Sequence, residues 1–461
     1  MLNSGDTAWV LASAALVMLM TPGLAFFYGG MVRSKGVLNM LMMNYVALAV
    51  VSVLWVFYGF SLAFGNDVGG GLLGGFEYVG LNNVADALAG YAVDADPETG
   101  AAAVAWPGSN AIPLFAFAMF QLMFAVITPA LISGSIAERV KFWSWTLFVG
   151  LWVTIVYFPV AHWVFAFDGF VGADATGGWI ANTLGALDFA GGTAVHINAG
   201  AAGLALAIVL GKRRGWPREP MRPHNLPFVL LGAALLWFGW FGFNAGSALG
   251  AGELAGLAFT NTMVATAAAV LGWLIVEQIR DGKPTTLGAA SGAVSGLVAI
   301  TPACGWVSPL GAIAIGVIAG AVCALAVALK YKFGYDDSLD VVGVHLVGGL
   351  VGTLLIGFFG TESGLFYGGG AALLGTQAIA AFAVLAYSFV LTLIIGYAIK
   401  FTIGFRITEE AEAVGVDENE HAESAYDFST LSGLGGLGSP RPSAATAAAA
   451  EHVPATAGKE S

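Results

Sequence analysis

The feature that most constrains this chain is a series of apolar runs, each about 20 residues long, that recurs across the first 400 positions. Each is long enough to cross a hydrocarbon core of about 30 Å as a helix. About eleven can be drawn, over roughly 8–30, 38–65, 111–135, 142–165, 190–210, 226–247, 256–277, 285–302, 309–329, 340–360 and 371–400. Hydrophobic residues make up 58% of the chain and charged residues 10%, more apolar surface than one soluble core can hide. The runs lack the two-residue alternation of membrane strands. The chain therefore reads as an all-α polytopic membrane protein. Its opening, "MLNSGDTAWVLASAALVMLMTPGLAFFYGG", lacks a basic n-region and a small-residue cleavage site, so it reads as the first span rather than a signal peptide. Cys304 and Cys323 have no CxxC or metal-type neighbourhood, which argues against a disulfide framework.

The net charge is −12, but the signs are segregated. The seventeen Lys and Arg fall in clusters at Arg33 and Lys35, Arg139 and Lys141, Lys212 to Arg222, Arg280 and Lys283, Lys330 and Lys332, then from Lys400 onward. The connection from Asn66 to Asn110 carries Asp67, Glu77, Asp86, Asp94, Asp96 and Glu98 without a cation. Cytoplasmic loops hold the excess of Lys and Arg. This places every basic cluster in the cytoplasm, the amino terminus outside and the tail inside, which requires an odd number of spans. Gly-rich and Ala-rich text such as "HINAGAAGLALA" suits close helix packing in lipid.

Spans five and ten echo each other, "TAVHINAGAAGLALAIVLG" against "VGVHLVGGLVGTLLIGFFG". A five-span unit is odd, so its second copy enters from the opposite face. The expected plan is an inverted five-plus-five repeat over about 8–210 and 226–360, with an extra span at about 371–400. His196 and His345 are then symmetry mates. Counted at 1.5 Å per residue from opposite faces, the two histidines differ in depth, so spacing alone makes them equivalent without making them touch.

Ionisable groups inside spans are costly and mark cavities, partners or proton paths. A lone histidine reads equally well as a neutral core group; a symmetric pair favours function. His162, in "FPVAHWVF", reads as packing or a carbonyl bond. Asp188 and Asp340 each fit a helix N-cap ahead of a small-residue run, and Asp188 adds a negative field that favours a cation. Phe120 and Phe124 share one helical face, as do Phe243 and Ser247. Core packing is the bland reading of these pairs, yet a ring face beside a hydroxyl also suits a cation that is shedding water.

The motifs "TPGLAFFYGGMVRSKGVLNM", "AERVKF", "GALDFAGGTAVHINAG", "WFGWFGFNAGSA", "VAITPACGWVSP", "DVVGVHLVGGLVG" and "GVDENEHAESAY" carry a resemblance to the ammonium transporter (Amt/Mep/Rh) family, bacterial Amt type, over about residues 6–426. The resemblance implies a homotrimer of eleven-span subunits with one pore per subunit, in a cell's inner (plasma) membrane. It implies that Phe124 and Phe243 form a hydrophobic gate and that His196 and His345 line the dry pore as a proton relay. Ser247, Trp240, Phe120, Phe165 and Asp188 then belong to the outer recruitment site. Phe165 stands where the family has tryptophan and offers a weaker π face; Trp163 is the alternative ring.

From Phe401 the text turns acidic. Residues 401–428 match the family's cytosolic regulatory tail, which docks on a neighbouring subunit, with Arg406, Gly415, Asp417, His421, Glu423 and Tyr426 as its marked positions. A PII-type signal protein is the implied cytosolic partner. Residues 429–461 are rich in Gly, Ala, Ser and Pro and are expected to be disordered. The expected function is ammonium transport without cofactor, metal or nucleic acid, with methylammonium as an analogue. The outer site collects the cation, desolvation lowers its pKa, and NH3 crosses the apolar pore while the histidines relay H+. Two rival readings stand beside it: a neutral NH3 channel, and an ammonium sensor with little flux. No HExxH box or paired nucleophile and base supports an intramembrane hydrolase, so no enzyme is expected.

Overall fold

The computed structural model describes residues 2–90, 111–172 and 174–426. Among the described residues, ten helices are long and apolar enough to cross a membrane. They are α1 (Ser4–Met31), α2 (Ser34–Phe64), α3 (Leu114–Ile136), α4 (Phe142–Phe165), α5 (Gly192–Leu210), α6 (Leu226–Gly246), α7 (Glu253–Asp281), then α9 (Pro309–Phe333), α10 (Val342–Phe359) and α11 (Ala372–Thr402). Between α7 and α9 the segment expected to span at 285–302 is a shorter apolar helix, α8 (Thr286–Ile300), followed by turns over 301–306. At 1.5 Å per residue it rises only about 22 Å. The expected disorder of 429–461 lies outside the described residues.

Local sequence accounts for the helix starts. The side chains of Asn3, Asn225, Thr285 and Ser308 accept hydrogen bonds from the backbone N–H groups of Asp6, Phe228, Gly288 and Gly311, which satisfies first-turn donors of α1, α6, α8 and α9. Proline in the first turn of α6 and α9 gives up no needed donor there. Four spans contain a π-helical turn: Trp55–Gly59 in α2, Val153–Tyr157 in α4, Gly192–Ile197 at the start of α5 and Val342–Leu346 at the start of α10. Such turns concentrate at functional sites. The two that open α5 and α10 carry His196 and His345.

The bundle is organised about two helix pairs. α1 packs along α6, and α5 packs against α10, with α3 and α8 flanking them. At one end the loops are tied by ions. Glu138 takes Arg33 Nε at 2.8 Å and Arg213 Nη1 at 3.0 Å, and Arg213 Nη2 reaches Asp336 at 2.9 Å. Lys330 meets Asp340 at 2.7 Å. The basic clusters read as cytoplasmic thus converge on one end. At the other, strand β1 (Leu88–Ala89) pairs antiparallel with β2 (Ile112–Pro113), and Leu2 bridges to Ala111.

The tail, as helices α12 (Glu409–Val414) and α13 (Val416–His421), seats over the loops of its own chain at the basic end. Glu412 pairs with Arg406 at 2.8 Å and accepts from Arg214 N, while Asp417 accepts from Leu38 N at 3.0 Å and Asn39 N at 2.8 Å. Two backbone donors near the start of α2, without helical acceptors of their own, make it a receptor for the Asp417 carboxylate.

Candidate functional site

The site is a column of rings inside the bundle. Phe120 and Phe124, one turn apart on α3, lie with ring centroids 4.9 Å apart, and Phe124 meets Phe243 of α6 at 4.5 Å with a tilt of 50°. Both Phe124 and Phe243 are buried, and together they close the column. Below Phe243 the imidazole of His196 stacks on it at 6.0 Å and 19°, and His345 stacks on His196 at 5.4 Å and 21°.

The histidines therefore touch: Nδ1 of His345 is 3.3 Å from Nδ1 of His196. The depth difference counted from the sequence disappears because α5 and α10, with 19 and 18 residues, are the two shortest of the ten spans. Each begins inside the bundle rather than at a face, as in broken-helix transporter folds. One ring must donate and the other accept across the Nδ1 contact, so the outer nitrogens of the pair are complementary, one carrying a proton and one a lone pair. His196 Nε2 has no protein partner among the described residues. The cavity beside the pair, about 10 Å³, is walled by Met20, Leu24, Ile127 and Trp240 and takes one small molecule.

Trp240 is in this lower cavity, where the sequence reading had placed it at the outer site. It stacks on His196 at 5.4 Å and donates from Nε1 to Thr301 Oγ1 at 2.8 Å. Trp240 and Ser247 are seven residues apart on α6, about 10 Å along the axis, so the two cannot border the same pocket depth.

Above Phe124 lies an outer pocket of about 30 Å³ that contains Phe120, Phe165, Asp188 and Ser247 in its wall. Trp163 does not replace the missing tryptophan: its Nε1 donates to Leu72 O at 2.8 Å and its ring packs on Tyr387 at 4.6 Å, away from the pocket. The Ser247 hydroxyl donates to Phe243 O at 2.8 Å, which leaves its lone pairs for a donor in the pocket. Gln121, which the sequence reading passed over, also lines the pocket. A polar side chain in the apolar run "FAMFQLMF" is the signal that could have found it.

Asp188 is an N-cap of unusual completeness. Its carboxylate accepts from Gly191 N, Gly192 N and Thr193 N at 2.6–2.8 Å and from the Thr193 hydroxyl. The matching cap of α10 is Asp337, where Asp340 had been expected. Asp337 accepts from Val342 N at 2.7 Å, and it precedes His345 by eight residues as Asp188 precedes His196. Asp340 sits at φ 65° and pairs instead with Lys330. Burial pushes the Asp337 carboxyl up to about 6, against the pull of Lys330 and with a further push from Asp340. His162 does what was expected of it, with Nδ1 3.0 Å from Ala63 O and Nε2 3.2 Å from Asp67.

The tail positions are engaged apart from Glu423. Arg406 donates to Leu210 O at 2.9 Å; His421 lies 3.1 Å from Asn39 Nδ2 and against the Phe142 ring; Tyr426 OH is 2.8 Å from His224 Nε2. Gly415 sits at φ 139° with its α-carbon against Lys35. Glu423 is exposed. Among the described residues there is no cluster of His, Cys, Asp or Glu able to hold a metal, and Cys304 and Cys323 are buried free thiols.

The family model described as Ammonium Transporter Family matches residues 8–426. An ammonium transporter of Mycobacterium tuberculosis is 63% identical over 443 residues, with 94% of this chain and 92% of that protein covered. One from Bacillus subtilis is 47% identical over 93% of this chain and its own full length. Among solved structures, a protein titled Sensor Amt Protein superposes with a TM-score of 0.80 at 30% identity, over 90% of this chain and 98% of that one. Saccharomyces cerevisiae Mep2 superposes with 0.76 at 34% identity, over 89% and 88%.

Proposed function

The chain belongs to the ammonium transporter family, and from that membership we propose that it recruits ammonium at the outer pocket and passes NH3 down the histidine column with associated movement of H+. The family is one of membrane transporters rather than enzymes. The observation that carries the reading is the contact of His196 and His345 beneath the Phe124–Phe243 pair in an otherwise apolar cavity.

The chemistry follows from what ammonium can do and potassium cannot. The two ions are alike in size and charge, but ammonium donates hydrogen bonds and can lose a proton. The outer pocket offers ring faces and the Ser247 lone pairs to a cation that sheds water. Phe124 and Phe243 bar a hydrated ion. Desolvation there lowers the pKa of ammonium, as it does for a buried lysine. The lower cavity then admits the small neutral base, and the complementary nitrogens of the histidine pair hold and hand on a proton.

The architecture proposed with it is eleven spans, α8 included, in an inverted repeat, three copies to an assembly, in the plasma membrane with the tail inside. The packing supports the repeat: the contact of α1 with α3 has its counterpart in α6 with α8, and α2 with α4 in α7 with α9. Gly200 lies against Leu346, and Gly349 against Ile197; each glycine follows its own histidine by four, and each neighbour follows the other histidine by one. Convergence of the basic clusters and tail at one end supports the orientation. A PII-type protein at that end is the partner proposed.

Similarity to a protein titled Sensor Amt Protein keeps one second reading, a sensor with little flux. Flux decides. In proteoliposomes given an ammonium jump, wild type should carry current that potassium does not evoke, and His196→Ala/His345→Ala should lose the current or its selectivity. Internal alkalinisation without current would identify a neutral NH3 channel. Absence of both would leave the sensor.

A further inference from the structure

Three polar side chains face the outer pocket: Gln121, Asp188 and Ser247. Their acceptor capacity is unequally committed. Both carboxylate oxygens of Asp188 are held by α5 backbone and the Thr193 hydroxyl. Ser247 uses its one proton on Phe243 O. Gln121 is 9% exposed, with no side-chain hydrogen bond to any described residue, and its free polar end belongs to the pocket wall. Neither amide atom is among the fully buried side-chain atoms that lack a partner, so the amide end is open to the pocket and free to meet a donor there.

The neighbouring rings make the need specific. With phenylalanine at 165 and Trp163 turned away, the pocket lacks the strongest cation–π surface. An ammonium ion seated against Phe120 and Phe124 has four donors, and Ser247 answers one. We propose that the Gln121 carboxamide is a further ammonium-binding group of the outer site, its Oε1 accepting a second N–H of the incoming ion opposite Ser247. This deepens the transport reading and rests on it for the identity of the ligand. The carbonyl has two lone pairs and can rotate about the side chain to meet the ion, so it can release the ion toward Phe243 without a broken ion pair.

Two readouts test this on the full-length protein. In proteoliposomes, Gln121→Leu should raise the ammonium concentration for half-maximal current about tenfold, the effect of one lost hydrogen bond to a charged donor, with the saturating current retained. Gln121→Glu keeps an acceptor oxygen and adds charge, so its half-saturation should equal that of wild type or fall below it. In detergent, ammonium should raise the melting temperature of wild type and Gln121→Glu at concentrations where it leaves Gln121→Leu unmoved. An unchanged half-saturation in Gln121→Leu, or a loss of saturating current alone, overturns the proposal. So does a Gln121→Glu variant that folds and binds as poorly as Gln121→Leu. Wild type that melts higher with ammonium yet carries no current defeats transport while leaving the Gln121 assignment to be judged by the melting shift.

Discussion

Gly200 puts the helix α5 backbone directly against α10. A methyl group there would meet Leu346 N at 2.4 Å, a backbone atom that cannot move alone. At Gly349 the nearest atoms are Ile197 Cγ1 at 3.0 Å, Gly192 O at 3.1 Å and His196 Cβ at 3.2 Å, contacts that a shift of a few tenths of an ångström would relieve. Alanine gains about 1 kcal/mol over glycine in a helix, against an overpacking cost of about 1–3 kcal/mol or more. Gly200→Ala should therefore melt well below wild type, and Gly349→Ala close to it, in a tryptophan-fluorescence unfolding scan; equal losses would contradict this asymmetry. At this scale the sequence was legible where a residue was conspicuous. Histidines, an aspartate and a serine stand out in apolar text. Gln121 is equally conspicuous in its apolar run, whereas the depth of Trp240 is not legible, because motif membership does not encode depth along a helix.

At the scale of the element, span limits were readable to within a few residues because capping side chains, prolines and charges punctuate the apolar runs. What the runs did not reveal was that α5 and α10 begin inside the bundle on π-helical turns, since those turns are fixed by tertiary contacts. Asp337 illustrates the consequence. It caps α10 through Oδ2, while Oδ1 has no partner among the described residues. Its carboxyl is pushed up to about 6 by burial, against about 3.9 in an unfolded chain. The folded state therefore holds a proton that the unfolded state releases, and this contribution is complete below about pH 4 and lost as pH rises through 6. Asp337→Asn keeps an acceptor for Val342 N and is neutral throughout. Its melting temperature should gain on wild type as pH rises from about 4 through 6, levelling off above that at the equivalent of about 3 kcal/mol. Parallel curves would mean that Asp337 is charged in the fold.

At the scale of the whole molecule, Arg213 joins parts that are far apart in the chain. Its guanidinium holds Asp336 by two nitrogens, at 3.0 and 2.9 Å, and Glu138 by a third, at 3.0 Å. The next residue, Arg214, gives its N–H to Glu412 of the tail. Asp336 in turn adjoins the Asp337 cap of the His345 helix. Burial pushes the Glu138 carboxyl up, but Arg213 and Arg33 more than offset it; burial of Asp336 is likewise outweighed by Arg213 and Arg139, and both acids lie below the usual carboxylate range. Their contribution is thus present above about pH 4 and lost as pH falls through the lower folded values. Arg213→Ala leaves two buried carboxylates short of a cation, a loss of about 3–5 kcal/mol. Arg213→Lys keeps the charge without the planar fork and should fall between. If the network is one unit, Arg213→Ala will both lower the melting temperature and expose residues 401–426 to limited proteolysis. A lower melting temperature with the tail still protected would instead make Arg213 a local brace, with the tail held by its other contacts, among them Asp417, His421 and Tyr426.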